Sequence, residues 1–570
     1  RRAVTDGRSG PIRRIIIAPA RDPGRAAELV SALLRAGIEV RRASEGFSSA
    51  RAHAYAGDAA ATRRFDAGAF VVDLAQPQGK VAKAILEPTH ALDSTFAQAQ
   101  IATFQRNHRR GKRAESEEYE FYDITAWSLP VAFGVDAYWT DDVSPVAGDV
   151  LTLPAEEPAL PQAQQQPRRI GGELLAVDVG GGIVAGLGAT SAYLFSPERN
   201  GAPKLAYQLL AEGFRVAVAS QPLEAGGRQW PRGTYVVRVA RNDSTLTTRI
   251  DALARASAVE VIGVNSAQAG TGQYGIGSES IIAIPAPNIA VIADEGVSQT
   301  AYGAIWYSLE RRYGVRFTPI GIGELEHDLS KFTVILFPSG RYTRVSKDAL
   351  DRIKTWVRAG GTLVTMGSAT AWAAEEGVAL TSARRVAAEP ESSAAKSEPT
   401  PAKPATPAPG AASNPATPAP AAASKPPASP PEPSDRLAQE LIPYQSTSAS
   451  NDTPESVPGI HADVLLDRTH WLTAGYDVPR LTVLLTGDLF LHPSKDGENV
   501  AIFPTTGPLV RAGFTWPGNT ERLLRGTALL IDEPMGAGHV VLFTNEPLFR
   551  GWWRALDKLV LNALVLGAAH

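Results

Sequence analysis

The chain has 570 residues, which is more than one hydrophobic core supports and predicts about three or four domains at roughly 150 residues each. Its 56 Lys and Arg residues nearly balance 59 Asp and Glu residues, so the net charge of -3 creates no strong positive field and nucleic acid is not expected as a partner. Cysteine is absent, which excludes disulfides, thiolate metal sites and thiol nucleophiles.

No apolar run approaches the ~18 residues of a membrane span, so no transmembrane segment is expected in this chain. The first residues have no apolar stretch of the kind found in a signal peptide. The chain begins with Arg1, and methionine occurs only at Met366 and Met535. We therefore expect it to be part of a longer protein.

The first predicted unit covers residues 1–145 and begins with an apolar strand at 15–17. Apolar residues at helical spacing follow, including Leu29, Val30 and Leu33, and Gly37 ends that helix. Further strands follow, and an aromatic-rich tail closes the unit. A strand-helix-strand order is typical of a parallel sheet in an α/β fold. Residues 146–168, rich in Pro and Gln, are predicted to form a linker.

A second α/β module is predicted at residues 169–286, because its sequence repeats that of the first unit. Strand, helix and helix-ending glycine recur in the same order, with the matched residues at one constant offset. Two related βαβ modules are the simplest explanation. The matched pairs include Leu33 with Leu209, Leu34 with Leu210, Gly37 with Gly213, Val40 with Val216, and Ser44 with Ser220.

The third predicted unit is a doubly wound, flavodoxin-like or amidotransferase-like parallel sheet formed by residues 287–386 and 457–570. Its strand at Ile289–Ala293 leads into a helix, and Ser346 is the predicted N-cap of a later helix. Residues 387–456 are rich in Pro and Ala and predict a disordered insertion, because they offer little apolar surface to bury. Folded sequence resumes after them, so the insertion is expected in a surface loop of this unit.

A family resemblance rests on short phrases that keep their order along the chain. Together they resemble the region that follows the catalytic domain in large secreted bacterial zinc carboxypeptidase-like proteins. This resemblance implies a secreted or periplasmic location, an upstream peptidase domain as partner, and removal of C-terminal residues from peptides by that domain. The phrases are "AQPQGKVAKAILEP", "YDITAWSLPVAFGVDAYW", "YLFSPERN", "WPRGTYVV", "LTAGYD" and "GHVVLFTNEPLFRGWWRALDKLVLNAL".

The zinc site of such a peptidase is not visible in this sequence. It requires a His and a Glu three residues apart and a later His, which together leave one position open for water. None of the nine histidines begins an H-x-x-E motif, and "HALD" at 90–93 is the nearest approach. We therefore predict no metal ligand and no cofactor in this chain, with zinc expected only in an upstream domain.

The third unit also resembles the class I glutamine amidotransferase-like fold, whose nucleophile lies on a sharp turn between a strand and a helix. The G-x-C-x-G pattern of that turn aligns with "GSATA", so Gly367 begins it, Ser368 follows, and Ala369 occupies the position of the nucleophile. After the last long strand, where that fold has a histidine and a glutamate, this sequence has Asn545, Glu546 and Pro547. The resemblance thus implies an elbow that keeps its shape without its chemistry.

Asp294 and Glu295 follow the first strand of the third unit, so they are expected at the carboxyl edge of the sheet, close to the elbow. A ligand could bind at that edge, but carboxylates there more often cap a helix or stay solvated. The leading hypothesis is a non-catalytic accessory region of a zinc carboxypeptidase-like protein that holds a peptide or a glycan. The alternative is a stand-alone amidotransferase-like protein that binds or hydrolyses a ligand.

Overall fold

The computed structural model describes residues 2–19, 22–55, 57, 59–90, 92–110, 115–153, 177–268, 274–386 and 453–570. Most of the predicted linker and of the predicted Pro/Ala-rich insertion lie outside these residues. The described part is α/β, as predicted, and contains three sheets of six or more strands. No helix among the described residues is both long and apolar enough to cross a membrane.

The first unit is built on a seven-stranded sheet with the order β4-β3-β6-β1-β5-β2-β7. Its last strand lies beyond residue 145, so this sheet extends past the predicted end of the unit. Its elements are α1 (Arg2–Ser9), β1 (Arg14–Ala18), α2 (Pro23–Arg35), β2 (Arg41–Ala43), β3 (Phe47–Ala54), β4 (Ala60–Phe65), β5 (Phe70–Asp73), α3 (Gly79–Leu86), α4 (Ser94–Arg110), α5 (Leu129–Phe133), β6 (Asp136–Thr140) and β7 (Gly148–Val150).

The second unit is built on a six-stranded sheet with the order β15-β10-β13-β9-β14-β8. A separate two-stranded hairpin, β11-β12, follows β10. The elements are β8 (Gly182–Ala185), β9 (Ala192–Phe195), α6 (Ala202–Ala211), β10 (Ala217–Ala219), β11 (Leu223–Ala225), β12 (Arg228–Trp230), β13 (Tyr235–Arg238), α7 (Leu246–Ala256), β14 (Glu260–Val264) and β15 (Ile281–Ala283).

The two modules share one topology. The order β6-β1-β5-β2-β7 in the first sheet matches β14-β9-β13-β10-β15 in the second, and every neighbouring pair in both series is antiparallel. The helices α2 and α6 each connect two strands that have a third strand between them. This is the split βαβ arrangement of ferredoxin-like folds. The predicted relationship between the modules is therefore visible in their strand order.

The parallel sheet predicted for these two modules is wrong. A helical crossover does make β1 run in the same direction as β2, and β9 in the same direction as β10. It does not make them neighbours, because β5 and β13 insert between them and run antiparallel to both. Within these modules the described parallel pairing is that of β8 with β14.

The third unit begins with five parallel strands in the order β17-β16-β18-β19-β25. Antiparallel strands β24, β22, β20 and β21 extend the same sheet, and β23 pairs with β20. The elements are β16 (Ile289–Ile292), α8 (Gln299–Trp306), β17 (Thr318–Ile320), β18 (Val334–Phe337), α9 (Lys347–Arg358), β19 (Thr362–Met366), α10 (Ser368–Ala373), β20 (Val457–Leu466), β21 (Arg480–Gly487), β22 (Glu498–Ile502), β23 (Val510–Ala512), α11 (Thr520–Leu524), β24 (Ala528–Met535), β25 (Gly538–Phe543) and α12 (Asp557–Leu566).

The parallel strands of this unit have the order 2-1-3-4-5, which is that of flavodoxin-like folds. The fourth and fifth strands, β19 and β25, lie on opposite sides of residues 387–452 and pair with each other directly. The residues before and after this interruption of the sequence therefore belong to one sheet.

The predicted N-cap of α9 is present, since the Ser346 hydroxyl accepts a hydrogen bond from the Ala349 amide at 3.1 Å.

One hydrophobic cluster runs through all three units. An ionic network links the same units, with Arg312 and Asp557 almost completely buried and the Glu28 side chain 22% exposed. Arg312 pairs with Asp557 at 2.8 Å and with Glu28 at 3.1 Å, and the Tyr313 hydroxyl donates to Asp557 at 2.7 Å. Asn200 donates to that tyrosine at 2.8 Å, so side chains from all three units take part. The network fixes the units relative to one another.

Burial raises the pKa of Glu28, but the guanidinium groups of Arg312 and Arg554 outweigh that effect and leave it below its ordinary value. Arg554 donates to the same carboxylate at 2.8 Å. Two guanidinium groups thus hold Glu28 in its charged form where the first and third units meet.

Candidate functional site at the carboxyl edge of the third unit

The candidate site lies where the strand order of the third sheet reverses direction. The chain passes from β16 outward to β17 and then returns to β18 on the other side of β16. Loops that leave such neighbouring strands in opposite directions open a crevice at their carboxyl ends, where open α/β sheets bind ligands. The segments that follow β16, β18, β19 and β25 supply the side chains of this edge.

The sharp turn after β19 is present, and its strained residue is Gly367. Its φ of 54° and ψ of -122° belong to a region that residues with a side chain rarely adopt. The Gly367 amide donates to the carbonyls of Phe543 at 3.0 Å and Asn545 at 3.1 Å, which ties the turn to the end of β25. The turn has the strained strand-to-helix shape of a nucleophile elbow.

The position predicted for the nucleophile is therefore wrong by two residues. The alignment of "GSATA" placed it at Ala369, but this residue lies inside α10 and is completely buried against the apolar core. The strained residue, from which a nucleophile would project, is Gly367, and it has no side chain. The sharp turn is therefore centred on Gly367 and not on the position that the alignment gave.

The space beside Gly367 is already occupied. A Cβ atom built there would approach the Ser339 hydroxyl to well under 3.0 Å and would lie 3.6 Å from Cγ of Glu546. Ser339 follows β18, is 8% exposed, and donates to the Met366 carbonyl at 3.3 Å. Burial raises the pKa of Glu546, and a hydrogen bond with Ser339 opposes the rise. The Ser339 hydroxyl therefore occupies the place of the missing side chain, and Glu546 borders it.

Ser368 is held by the neighbouring loop. Its hydroxyl accepts a hydrogen bond from the Gly340 amide at 2.8 Å and donates to the Gly340 carbonyl at 3.1 Å. Both bonds go to one backbone unit, so the hydroxyl joins the turn after β19 to the loop after β18. Among the described residues, no histidine is bonded to it or to Ser339, and an unassisted hydroxyl is a poor nucleophile at neutral pH.

Asp294 caps a neighbouring loop. Its carboxylate accepts hydrogen bonds from the amides of Ile322 at 2.7 Å and Glu295 at 2.6 Å. These two backbone bonds, followed by the more distant Arg344, lower the pKa of Asp294. Glu295 points into solvent with 91% of its side chain exposed, and its carboxylate lies 3.5 Å from Arg344. Of the two carboxylates, only Glu295 is presented to an incoming molecule.

Asp294 and Glu295 were predicted to lie close to the elbow. The loop that carries them approaches it through backbone contacts with the loop after β18. Val297 forms a bridge with Gly340, and the Ser298 amide donates to the Ser339 carbonyl at 2.8 Å. Gly340 in turn holds Ser368. The three loops therefore form one continuous surface, although no contact joins Asp294 or Glu295 directly to the elbow in the described part of the chain.

Ser339 and its loop were missed by the sequence reasoning. The signal was available, because "PSG" at 338–340 follows a buried strand in the same way that Asp294 and Glu295 do. Glu546 was noted only as a replacement for a missing triad residue. No cluster of three or more potential metal ligands is found among the described residues.

Replacing Ser368 with alanine is expected to leave any activity of the parent protein unchanged. Within the described part of the chain the exposed hydroxyl bonds only to Gly340, so the substitution should lower the free energy of unfolding by about 1 kcal/mol. Ser346→Ala, which removes the N-cap of α9, is a matched control with a similar expected cost. Loss of a hydrolytic activity with folding intact would contradict the structural role of Ser368.

Comparisons with known proteins give no family for this chain and only distant structural similarity. No family model matches the chain, and no curated protein matches it. Among solved structures, a ThuA-like protein from Parabacteroides merdae is 9% identical with a TM-score of 0.28, and the match covers 49% of this chain and 91% of that one. A ThuA-like protein from Bacteroides uniformis is 10% identical with a TM-score of 0.24, covering 49% and 90%.

An exo-β-1,4-mannosidase from Opitutaceae bacterium strain TAV5 is 9% identical with a TM-score of 0.25. That match covers 49% of this chain and 35% of the mannosidase, so the chain spans about a third of the length of that relative. TM-scores and identities this low support no statement about activity or substrate.

Proposed function

We propose that this chain is a non-catalytic accessory region of a secreted zinc carboxypeptidase-like protein, in which an upstream domain removes C-terminal residues from peptides. The observation that carries the proposal is the elbow, where the strained residue is Gly367 and the space for a side chain is occupied by the Ser339 hydroxyl, with Glu546 in van der Waals contact beside it. A domain of this shape without a nucleophile is suited to binding or positioning rather than to hydrolysis.

The phrases that carry the family resemblance also meet in space, which supports the proposal. Lys558, in "LDKLVLN", donates to the carbonyls of Glu198, in "SPERN", and Gly475, in "LTAGYD", at 2.7 and 3.0 Å. Asn562 donates to the carbonyls of Leu472 and Ala474 at 2.8 and 3.0 Å. The bond from Lys558 to Glu198 joins the third unit to the second, and the other three bonds join distant segments of the third unit.

The isolated chain is expected to release no amino acids from peptides, to hydrolyse no amide, and to retain no stoichiometric zinc after dialysis. The measurements are peptide digestion followed by mass spectrometry and elemental analysis of the dialysed protein. One equivalent of retained zinc together with carboxypeptidase activity would contradict the proposal.

The coding sequence upstream of Arg1 gives an independent test of the parent protein. An H-x-x-E motif with a later histidine is expected there, preceded by a signal peptide. Absence of both, together with hydrolysis that is lost in Glu546→Gln, would instead favour the stand-alone amidotransferase-like alternative.

A further inference from the structure

A cavity of about 350 Å³ lies at the junction of the three units, away from the carboxyl edge described above. The first unit contributes Asp22, Arg25 and residues at the ends of β1 and β6, the second contributes Glu198, and the third contributes residues 475–478, Leu481 and Lys558. Its volume is near the lower end of the range for small-molecule sites. A ligand of this cavity would therefore be small.

One side of the cavity is cationic. Lys558 is only 3% exposed, and its ammonium donates to the carbonyls of Glu198 and Gly475. An ammonium has three N–H donors, so one remains for a further acceptor. Arg25 also lines the cavity and is 8% exposed; its Nε lies 3.7 Å from the carboxylate of Asp22, a further lining residue, and has no hydrogen-bond partner among the residues that the structure describes. A ligand carboxylate that reached both cations would supply the hydrogen bond that Asp22, at 3.7 Å from Nε of Arg25, does not make.

The lowered pKa of Lys558 also favours an anionic ligand in this cavity. Burial, reinforced by the neighbouring Arg25, lowers the pKa of Lys558 to about 7. A bound carboxylate would favour the charged ammonium and offset part of the repulsion between the two cations.

The mouth of the cavity is acidic. Asp136, at the start of β6, and Asp477, in the third unit, both line the cavity and are both exposed to solvent. Partial burial and the nearby charge of Asp477 raise the pKa of Asp136, so the two carboxylates are close enough to repel each other. A cation placed at this mouth would relieve that repulsion.

The wall between the two charged regions is apolar. Val135, Val478 and Leu481 line it, and the Tyr476 ring lies 5.4 Å from the Lys558 ammonium. The cavity therefore combines a cationic floor, an acidic mouth and an apolar wall within a small volume. A molecule that matches all three carries a carboxylate, an ammonium and a short apolar group.

We propose that this cavity binds a free α-amino acid with an apolar side chain. Its carboxylate accepts hydrogen bonds from Lys558 and Arg25, its ammonium lies beside Asp136 and Asp477, and its side chain contacts Val478 and Leu481. This inference goes beyond the proposed accessory function and does not depend on it, because it concerns the described chain alone.

Calorimetric titration of the full chain with L-leucine, 4-methylpentanoate and L-leucinamide tests the proposal. The last two probes lack the ammonium and the carboxylate, respectively. We expect L-leucine to bind, and each of the other two to bind about tenfold more weakly or worse, because each loses a charged partner. Equal affinity for all three, or no heat from L-leucine at about 10 mM, would overturn the proposal.

Variants of the full chain separate the two charged ends of the cavity. Lys558→Met is expected to weaken L-leucine binding about tenfold or more, whereas Lys347→Met, at an exposed lysine on α9, should leave it unchanged. Since loss of Lys558 could disturb folding, Asp136→Asn and Asp477→Asn provide a second measurement at exposed positions. Each of these two substitutions should weaken the binding of L-leucine more than the binding of 4-methylpentanoate, which has no ammonium. Unchanged L-leucine affinity in both aspartate variants would refute the assigned orientation.

Discussion

Replacing Arg312 with methionine is expected to lower the free energy of unfolding by about 3 to 5 kcal/mol, because it leaves Asp557 as a buried carboxylate without its cationic partner. The Arg312 side chain is 3% exposed and that of Asp557 is 1% exposed, so water cannot replace the lost interaction. Glu28 also loses one of its two guanidinium partners. Urea denaturation followed by tryptophan fluorescence gives the measurement.

Arg51→Met is the matched control for this substitution. Arg51 forms two hydrogen bonds with Asp141, at 2.9 and 2.7 Å, but 65% of its side chain is exposed. Solvent screens such a pair, so its removal should change stability far less. If Arg312→Met and Arg51→Met have equal effects, the buried network does not hold the units together.

The double variant Arg312→Met/Asp557→Leu distinguishes a lost attraction from an uncompensated charge. It removes both members of the pair, so no isolated carboxylate remains at the position of Asp557. We expect a smaller loss of stability than in Arg312→Met alone, since replacing a buried pair by apolar groups is often nearly neutral. An equal or larger loss would mean that the attraction itself supplies the stability.

Local sequence patterns predicted where the helices of this fold lie. They did not predict which strands are neighbours in a sheet. Apolar spacing and glycine stops placed α2, α6 and α9 correctly, because helix formation depends on residues a few positions apart. Whether β1 lies next to β2 depends on where β5 inserts, and β5 is distant in the sequence. A strand-helix-strand pattern fixes the direction of two strands and leaves their separation open, which is why the parallel prediction failed in the first two modules.

At the candidate site, too, features set by neighbouring residues were predictable, and features set by residues distant in the sequence were not. An apolar strand running into small residues predicted a strand-to-helix turn at 367–371, and the structure places that turn at Gly367, with residues 368–371 already inside α10. Its register did not follow, because the backbone strain at Gly367 is set by bonds to Phe543 and Asn545. The amino-acid cavity was also not predictable, since Asp136, Asp477 and Lys558 come from segments that meet only after the three units dock.

Replacing Gly367 with alanine is expected to destabilise the protein through two separable effects. A residue with a side chain at φ 54° and ψ -122° carries about 1 to 3 kcal/mol of backbone strain. Overlap of its Cβ with the Ser339 hydroxyl adds about 1 to 3 kcal/mol unless that hydroxyl moves and gives up its own hydrogen bonds. The loss in the free energy of unfolding should therefore exceed that of an ordinary glycine substitution, and denaturation with urea measures it.

Gly213→Ala is the control for an alanine at positive φ without steric overlap, because Gly213 has a φ of 89° and a Cβ atom added there would meet nothing within 4 Å. The overlap with Ser339 is measured separately, by removing the Ser339 hydroxyl. The double variant Gly367→Ala/Ser339→Ala removes that overlap, so it should be more stable than Gly367→Ala alone and approach the cost of Gly213→Ala. If Ser339→Ala gives no recovery, the hydroxyl is not what fills the place of the missing side chain, and a nucleophile could be accommodated at this elbow without rebuilding its surroundings.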